Sequence, residues 1–194
     1  MKKFILPLLV SFSSIVSANE HLRYIGFDLG QSATKSMIDQ YNYPNNKSSK
    51  VRHASQMASI YTGYSMGNYA AFELGAMSSK SLNRSKNVRE GRTNIDCLHM
   101  GFVFWLPISN NIELIPGIGV AHVMVHATQH KVFDTRDKGI VPRLVFGGQY
   151  KINEQLRLRA SANWHRMSGV YTYHVSFNQS LHFGLGLNYS FHPK

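Results

Sequence analysis

Residues 156–165 read LRLRASANWH, and the two kinds of side chain alternate without a break. Successive side chains of an extended chain point to opposite faces, so Leu156, Leu158, Ala160, Ala162 and Trp164 share one face. Arg157, Arg159, Ser161, Asn163 and His165 share the other. A soluble strand hides its apolar face and wets its charged one. The polar face here carries large ionic groups beside small residues, and it asks for a narrow, crowded interior.

The pattern recurs along the chain. In RYIGFDLGQ, residues 23–31, Ile25, Phe27 and Leu29 oppose Tyr24, Gly26, Asp28 and Gly30. It returns at 58–66, at 69–77 with Ala70, Phe72 and Leu74 against Ala71, Glu73 and Gly75, and at 97–106 with Leu98, Met100, Phe102, Phe104 and Leu106 against His99, Gly101 and Val103. Residues 112–124 set Leu114, Ile118 and Val120 against Glu113, Gly117 and Gly119. In residues 143–152, Leu144, Phe146, Tyr150 and Ile152 oppose Arg143, Val145, Gln149 and Lys151. The last stretch, 181–191, alternates Leu181, Phe183, Leu185, Leu187, Tyr189 and Phe191 with His182, Gly184, Gly186, Asn188 and Ser190. Eight strands are therefore expected. Glycines mixed with Asp28, Glu73, Glu113, Arg143, Lys151, Arg157 and Arg159 suit the inside of a closed barrel of about eight strands, which leaves room only for side chains. The apolar faces then meet lipid, as in an outer-membrane barrel.

The connections agree. Residues 66–68, 109–111 and 153–154 are short and rich in Gly and Asn, while the polar stretches 36–56, 78–94, 127–141 and 168–180 are expected to form four long loops. Three short turns and four long loops serve an up-and-down antiparallel barrel with both termini on the periplasmic side. Tyr64, Tyr69, Tyr150, Tyr189, Phe191 and, at the far end of its strand, Trp164 are candidates for the interfacial aromatic girdles.

Composition is consistent with this. The 194 residues are 43% hydrophobic and only 16% charged, and no stretch approaches the roughly 18 apolar residues of a membrane helix. One cysteine excludes an internal disulfide framework. Met1-Lys2-Lys3, the apolar run at 4–10 and the small residues Val16-Ser17-Ala18 read as a signal peptide over residues 1–18, with a barrel domain over 19–194. Removing those 18 residues, with Lys2 and Lys3, leaves 176 and lowers the formal charge from +11 to +9.

In order and spacing, several motifs resemble the OmpA-like eight-stranded outer-membrane barrels. They are Tyr24-Ile25-Gly26-Phe27-Asp28-Leu29-Gly30, Thr62-Gly63-Tyr64 with Phe72-Glu73-Leu74-Gly75, Leu106-Pro107-Ile108-Ser109-Asn110-Asn111, Phe146 to Asn153 with Leu158-Arg159, and Leu187-Asn188-Tyr189-Ser190-Phe191. The resemblance covers nearly the whole mature chain. It implies an integral outer-membrane protein of a Gram-negative cell with a structural, adhesive or weakly pore-like role, and a lumen plugged by an ion pair at Glu73 and Arg159. Two lumen positions that are Lys and Glu in the family are Val103 and Gln149 here, and no peptidoglycan-binding domain is expected after Phe191. The terminal aromatic strand resembles the signal read by the barrel assembly machinery, although His192-Pro193-Lys194 follow it. Independently, charges in a narrow lumen need partners to offset desolvation, so Asp28, Arg143 and Arg157 are expected to join Glu73 and Arg159 in ion pairs.

Other chemistries fit less well. His122, His126 and His130 have helical metal spacing, but on a strand His122 and His126 stand about 13 Å apart, too far to share an ion. His174-Val175-Ser176 matches the His-x-Ser spacing of an outer-membrane lipid A deacylase, yet Asn188 stands where an orienting acid is needed. Cys97 has inward parity and no cysteine partner, which suits an inert packed thiol.

Basic clusters at Lys47, Lys50 and Arg52, at Arg84, Lys86, Arg89 and Arg92, and at Lys131, Arg136 and Lys138 fall in the expected loops. The expectation is a monomeric barrel without catalytic residues, metal or cofactor. Its loops would meet the phosphates of lipopolysaccharide or anionic surface or host polymers, and not nucleic acid.

Overall fold

The computed structural model describes residues 23–38, 49–67, 69–85, 88–129, 133–172 and 175–191. The expected signal peptide lies outside these residues, as do Lys47, Lys86, His130, Lys131, His174 and the three residues after Phe191.

The strands are β1 (Arg23–Ile38), β2 (Ser49–Ser65), β3 (Ala70–Ser85), β4 (Val88–Phe104), β5 (Leu106–Pro107), β6 (Ile112–Leu114), β7 (Gly117–Gln129), β8 (Phe133–Lys151), β9 (Leu156–Thr172) and β10 (Val175–Phe191). Each pairs antiparallel with its neighbours. The short β5 and β6 pair with each other and set off the ends of β4 and β7, so the wall has eight staves. Pairing of β1 with β10 (Arg23 opposite Phe191) and of β8 with β9 (Arg143 opposite His165) closes the circuit. A closed circuit leaves no strand edge bare, which the hydrocarbon core of a membrane demands.

One end carries three tight turns. Met66 N–H donates to Ala70 O at 2.7 Å, Ile108 N–H to Ile112 O at 2.9 Å and Ile152 N–H to Leu156 O at 3.0 Å. Gly67 sits at φ +81°, a backbone region that glycine enters without steric cost. Asn153 Oδ1 accepts from the backbone of Gln155 and Leu156 at 2.9 and 2.7 Å, which closes the third turn.

The faces are those read from the sequence within a central band. Phe27, Met100, Phe102, Leu144, Phe146 and Phe183 are exposed, while Tyr24, Asp28, Glu73, His99, Arg143, Arg159 and His182 are buried. Across that band the outside is apolar and the inside polar, because lipid lies outside and a narrow lumen inside.

Much of the sequence expected to form four long loops is strand among the described residues. A tilted strand crosses a bilayer with about 9–11 residues, yet β1 has 16 and β8 has 19. The extra length comes from the stretches expected to be loops: β3 runs to Ser85 and β4 starts at Val88, β7 runs to Gln129 and β8 starts at Phe133. Lys50, Arg52, Arg84, Arg89, Arg92, Arg136 and Lys138 accordingly lie on strands. The reason is a change of solvent. Beyond the apolar band the wall stands clear of lipid, and the two faces exchange roles: Asp96 and Lys138 point outward while Ile95, Cys97, Val123, Val125 and Val141 are buried inside. Polar residues facing out and an altered phase of alternation read as loop from the sequence. Cys97 thus sits in the middle of β4 and not at its start.

Candidate functional site

Among the described residues many polar side chains converge in the lumen, which is filled in layers. Nearest the tight turns, Trp105 turns inward and packs with Tyr24, Tyr61, Ala71, Val103 and Ile115. Trp105 was not among the residues singled out as girdle aromatics; of those, Tyr69, Tyr150, Tyr189 and Phe191 are exposed, while Tyr64 and Trp164 are half-buried. Arg157 lies 5.8 Å from the Trp105 ring centroid and donates to Ser190 Oγ at 2.7 Å. Beside it, Lys151 Nζ meets Glu113 Oε1 at 2.6 Å, and the Gln149 amide donates to Glu113 Oε2.

Midway along the lumen, Arg159 of β9 meets Glu73 of β3. The pair is two-pronged: NH1 donates to Oε1, and NH2 to Oε2 at 3.3 Å. Both side chains are about 2% exposed or less. Tyr24 Oη also donates to Glu73 Oε1, at 2.8 Å, and the guanidinium stacks 4.7 Å from the Tyr61 ring centroid. Removing two charges from water is costly, and this geometry offsets the cost with matched donors on both carboxylate oxygens.

Among the described residues, the other three expected in ion pairs, Asp28, Arg143 and Arg157, form no salt bridge. Asp28 accepts from Tyr61 Oη at 3.3 Å and from Ser161 Oγ at 3.4 Å. Arg143 donates through Nε and NH2 to Asn163 Oδ1 at 3.0 and 2.6 Å, and Arg157 has the neutral partners named above. Neutral hydroxyls and amides serve because the charges are linked through a relay: Asn163 Nδ2 donates to Ser161 Oγ at 3.3 Å, which carries the Arg143 dipole chain to Asp28. Asn188 Oδ1 shares the single Tyr61 hydroxyl hydrogen with Asp28, and Asn188 Nδ2 reaches Gln149 Oε1 at 3.4 Å. Inward parity alone locates Tyr24, Tyr61, Asn163 and Asn188 but cannot rank them as partners.

Above Arg143, His99, His165 and His182 point inward; the rings of His165 and His182 meet edge to face with centroids 5.0 Å apart. A cavity with room for about one water lies among Asp28, Tyr61, His99, Arg143, Arg159 and His165. Farther on, Met57, Met77, Ile95, Cys97, Ala121, Val123, Val125, Val141 and Met167 form one apolar cluster, flanked by the buried hydroxyls of Ser32, Thr34, Ser79 and Ser180. The lumen is expected from the sequence to be lined by small, polar and charged residues, and a continuous apolar cluster departs from that expectation.

Ser176 lies on β10 opposite Met37 and Tyr171, while His174 lies outside the described residues. His122 and His126 are half-buried. Among the described residues no group of three His, Cys, Asp or Glu side chains is placed to hold a metal ion.

The fold has many solved counterparts. The neisserial surface protein A structure aligns with TM-score 0.65 at 14% identity, over 87% of this chain and 97% of that one. Ail of Yersinia pestis, solved in complex with the heparin analogue sucrose octasulfate, aligns with TM-score 0.55 at 14% identity, over 89% and 100%. The outer membrane protein OprG of Pseudomonas aeruginosa aligns with TM-score 0.60 at 10% identity, over 88% and 96%. No curated protein matches the chain. The model of the OmpA-like transmembrane domain matches residues 18–194, nearly the whole chain and the whole barrel, and the protein belongs to that family of outer-membrane β-barrels.

Proposed function

We propose that this protein is a closed, monomeric outer-membrane barrel that works through its outer surface and not through its lumen or by catalysis. In this reading residues 1–18 direct export and are cleaved, and the barrel assembly machinery inserts the rest. The observation that carries the reading is the double occlusion of the lumen: the hydrogen-bonded Glu73–Arg159 layer, then the apolar stopper around Met57, Met77 and Met167. A permeant ion would have to break the first and dewet through the second.

With the lumen closed, function moves to the end of the wall that stands beyond the apolar band. That end carries Lys50, Arg52, Arg84, Arg89 and Arg92 on its strands, and it suits anionic surface or host polymers, including the charged sugars of lipopolysaccharide, through screened attraction. Its role is adhesive or structural. The same fold accommodates a sulfated ligand in Ail, whose complex with sucrose octasulfate has been solved.

Two measurements test this. In planar bilayers the folded protein is expected to give no steady unitary currents, and well-defined channels would overturn the closed-lumen reading. Sulfated polysaccharide is expected to bind whole cells displaying the protein in a salt-sensitive manner, and binding indifferent to salt or to loss of these five basic residues would overturn the surface reading.

A further inference from the structure

Three imidazoles enter the lumen above Arg143, and the hydrogen bonds described for that layer do not satisfy them. Among the described residues, His99 Nε2, His165 Nε2 and both ring nitrogens of His182 are buried without a hydrogen-bond partner. Buried polar atoms are ordinarily paired, so a group of orphans in one layer points to something that belongs among them.

The small cavity at this level has the donors for it. His99 of β4 and His165 of β9 line it together with Met57 of β2 and Met77 of β3, four side chains from four staves. Each is 5% exposed or less. Gly75, opposite His99 in register, makes room for the ring, since a Cβ there would stand 2.5 Å from His99 Nε2. His182 backs His165, the two rings meeting edge to face. The space holds about one water, which suits one ion with its donors drawn in.

Two imidazoles and two thioethers are a soft set. Thioether sulfur selects copper(I), whereas hard divalent ions want carboxylate, carbonyl and water. Asp28, the carboxylate on the same wall, already accepts from Tyr61 and Ser161. Arg143 on that wall makes a second positive charge on the ion costly in a space poor in water. We propose that His99, His165, Met57 and Met77 bind one soft monovalent metal ion, of the copper(I) class, inside the lumen. The sulfurs complete a site that no trio of His, Cys, Asp or Glu supplies among the described residues. The Glu73–Arg159 layer closes the chamber on one side and the apolar cluster on the other, so the ion enters as the barrel folds and is then held. A resident ion is not a permeant one, and the proposal does not depend on what the outer surface binds.

The test refolds the full chain into detergent micelles with silver(I), a redox-inert stand-in for copper(I), and then strips loose metal with excess free methionine and gel filtration. About one silver per folded barrel is expected, released only when the barrel unfolds. The H99Q/H165Q and M57L/M77L variants, checked for folding by heat-modifiable gel mobility, are expected to retain at least about tenfold less, and C97S to retain as much as the unaltered protein. X-ray absorption of the unaltered protein refolded with copper(I) is expected to show nitrogen and thioether sulfur around the metal. Equal silver in M57L/M77L, loss in C97S, zinc(II) retained as firmly as silver, or a metal shell without sulfur would overturn the proposal. The absorption measurement needs no variant, so it decides the matter even if a variant fails to fold.

Discussion

Ile95 and Leu98, three residues apart on β4, are both apolar and point to opposite sides of the barrel wall: Ile95 is 3% exposed and Leu98 is 45% exposed. Strict alternation puts residues at an odd spacing on opposite faces, so their shared chemistry means that the environments, and not the backbone, change between them. Leu98 touches lipid. Ile95 belongs to an apolar stopper inside a wall that at its own level faces water. The boundary between the two regimes runs between these residues, and the proposals that follow are consequences of it.

Substituting arginine along β4 therefore maps the boundary. Phe102→Arg, in the middle of the apolar band, is expected to cost about 2–4 kcal/mol, as for a lipid-facing cation near the midplane. Asp96→Arg, two positions beyond Leu98, is expected to change stability by no more than about 0.5 kcal/mol. Urea unfolding in vesicles measures both, and equal costs would place the boundary elsewhere.

The inward side of the same segment gives the converse. Ile95→Asp puts an unpaired carboxylate among Cys97, Val123 and Val125 and removes a buried side chain, at an expected cost of about 3–5 kcal/mol. Tolerance of this change would show that the far part of the lumen is wet.

Breaking the central ion pair strands a charge. Glu73→Ala is expected to destabilise the barrel by about 3–5 kcal/mol by leaving Arg159 uncompensated. Arg159→Met in the same chain restores part of that, because no buried charge is then left alone. A double-mutant cycle read by urea unfolding checks this, and additive costs would mean that the two residues do not act as a pair.

Gly26 sits between its register partners Tyr61 on β2 and Asn188 on β10, and a Cβ there would collide with the Tyr61 ring and Asn188 Oδ1. Gly26→Val is expected to cost about 1–3 kcal/mol through overpacking and to disturb the hydrogen bond from Tyr61 to Asn188. Tyrosine near-ultraviolet circular dichroism follows the local change while the unfolding midpoint reports the cost.

Cys97 is 2% exposed within the stopper. A water-soluble maleimide is expected to label it only in step with unfolding, since a buried thiol reacts through opening of the wall. Prompt labelling of the folded protein would show that the stopper is permeable.

The sequence by itself determined the barrel. Runs such as 156–165 and 181–191 repeat a period of two with glycine and charge opposite leucine and phenylalanine, and only a closed sheet with lipid outside satisfies both faces. It also determined which residues enter the lumen, since parity is a property of the extended chain; Glu73 and Arg159 needed the family resemblance as well to be read as partners. Three things only the tertiary structure decided. Arg143 and Arg157 take Asn163 and Ser190 in place of carboxylates, because partner choice depends on stagger between staves that no local pattern encodes. Trp105 keeps the inward parity of Gly101 and Val103, but its packing against Tyr24, Tyr61 and Ile115 depends on staves that are distant in sequence. The staves run on past the membrane through Lys80, Asp96 and Lys138, because beyond the band water replaces lipid outside, so the chain keeps its strands while its polar and apolar faces change places.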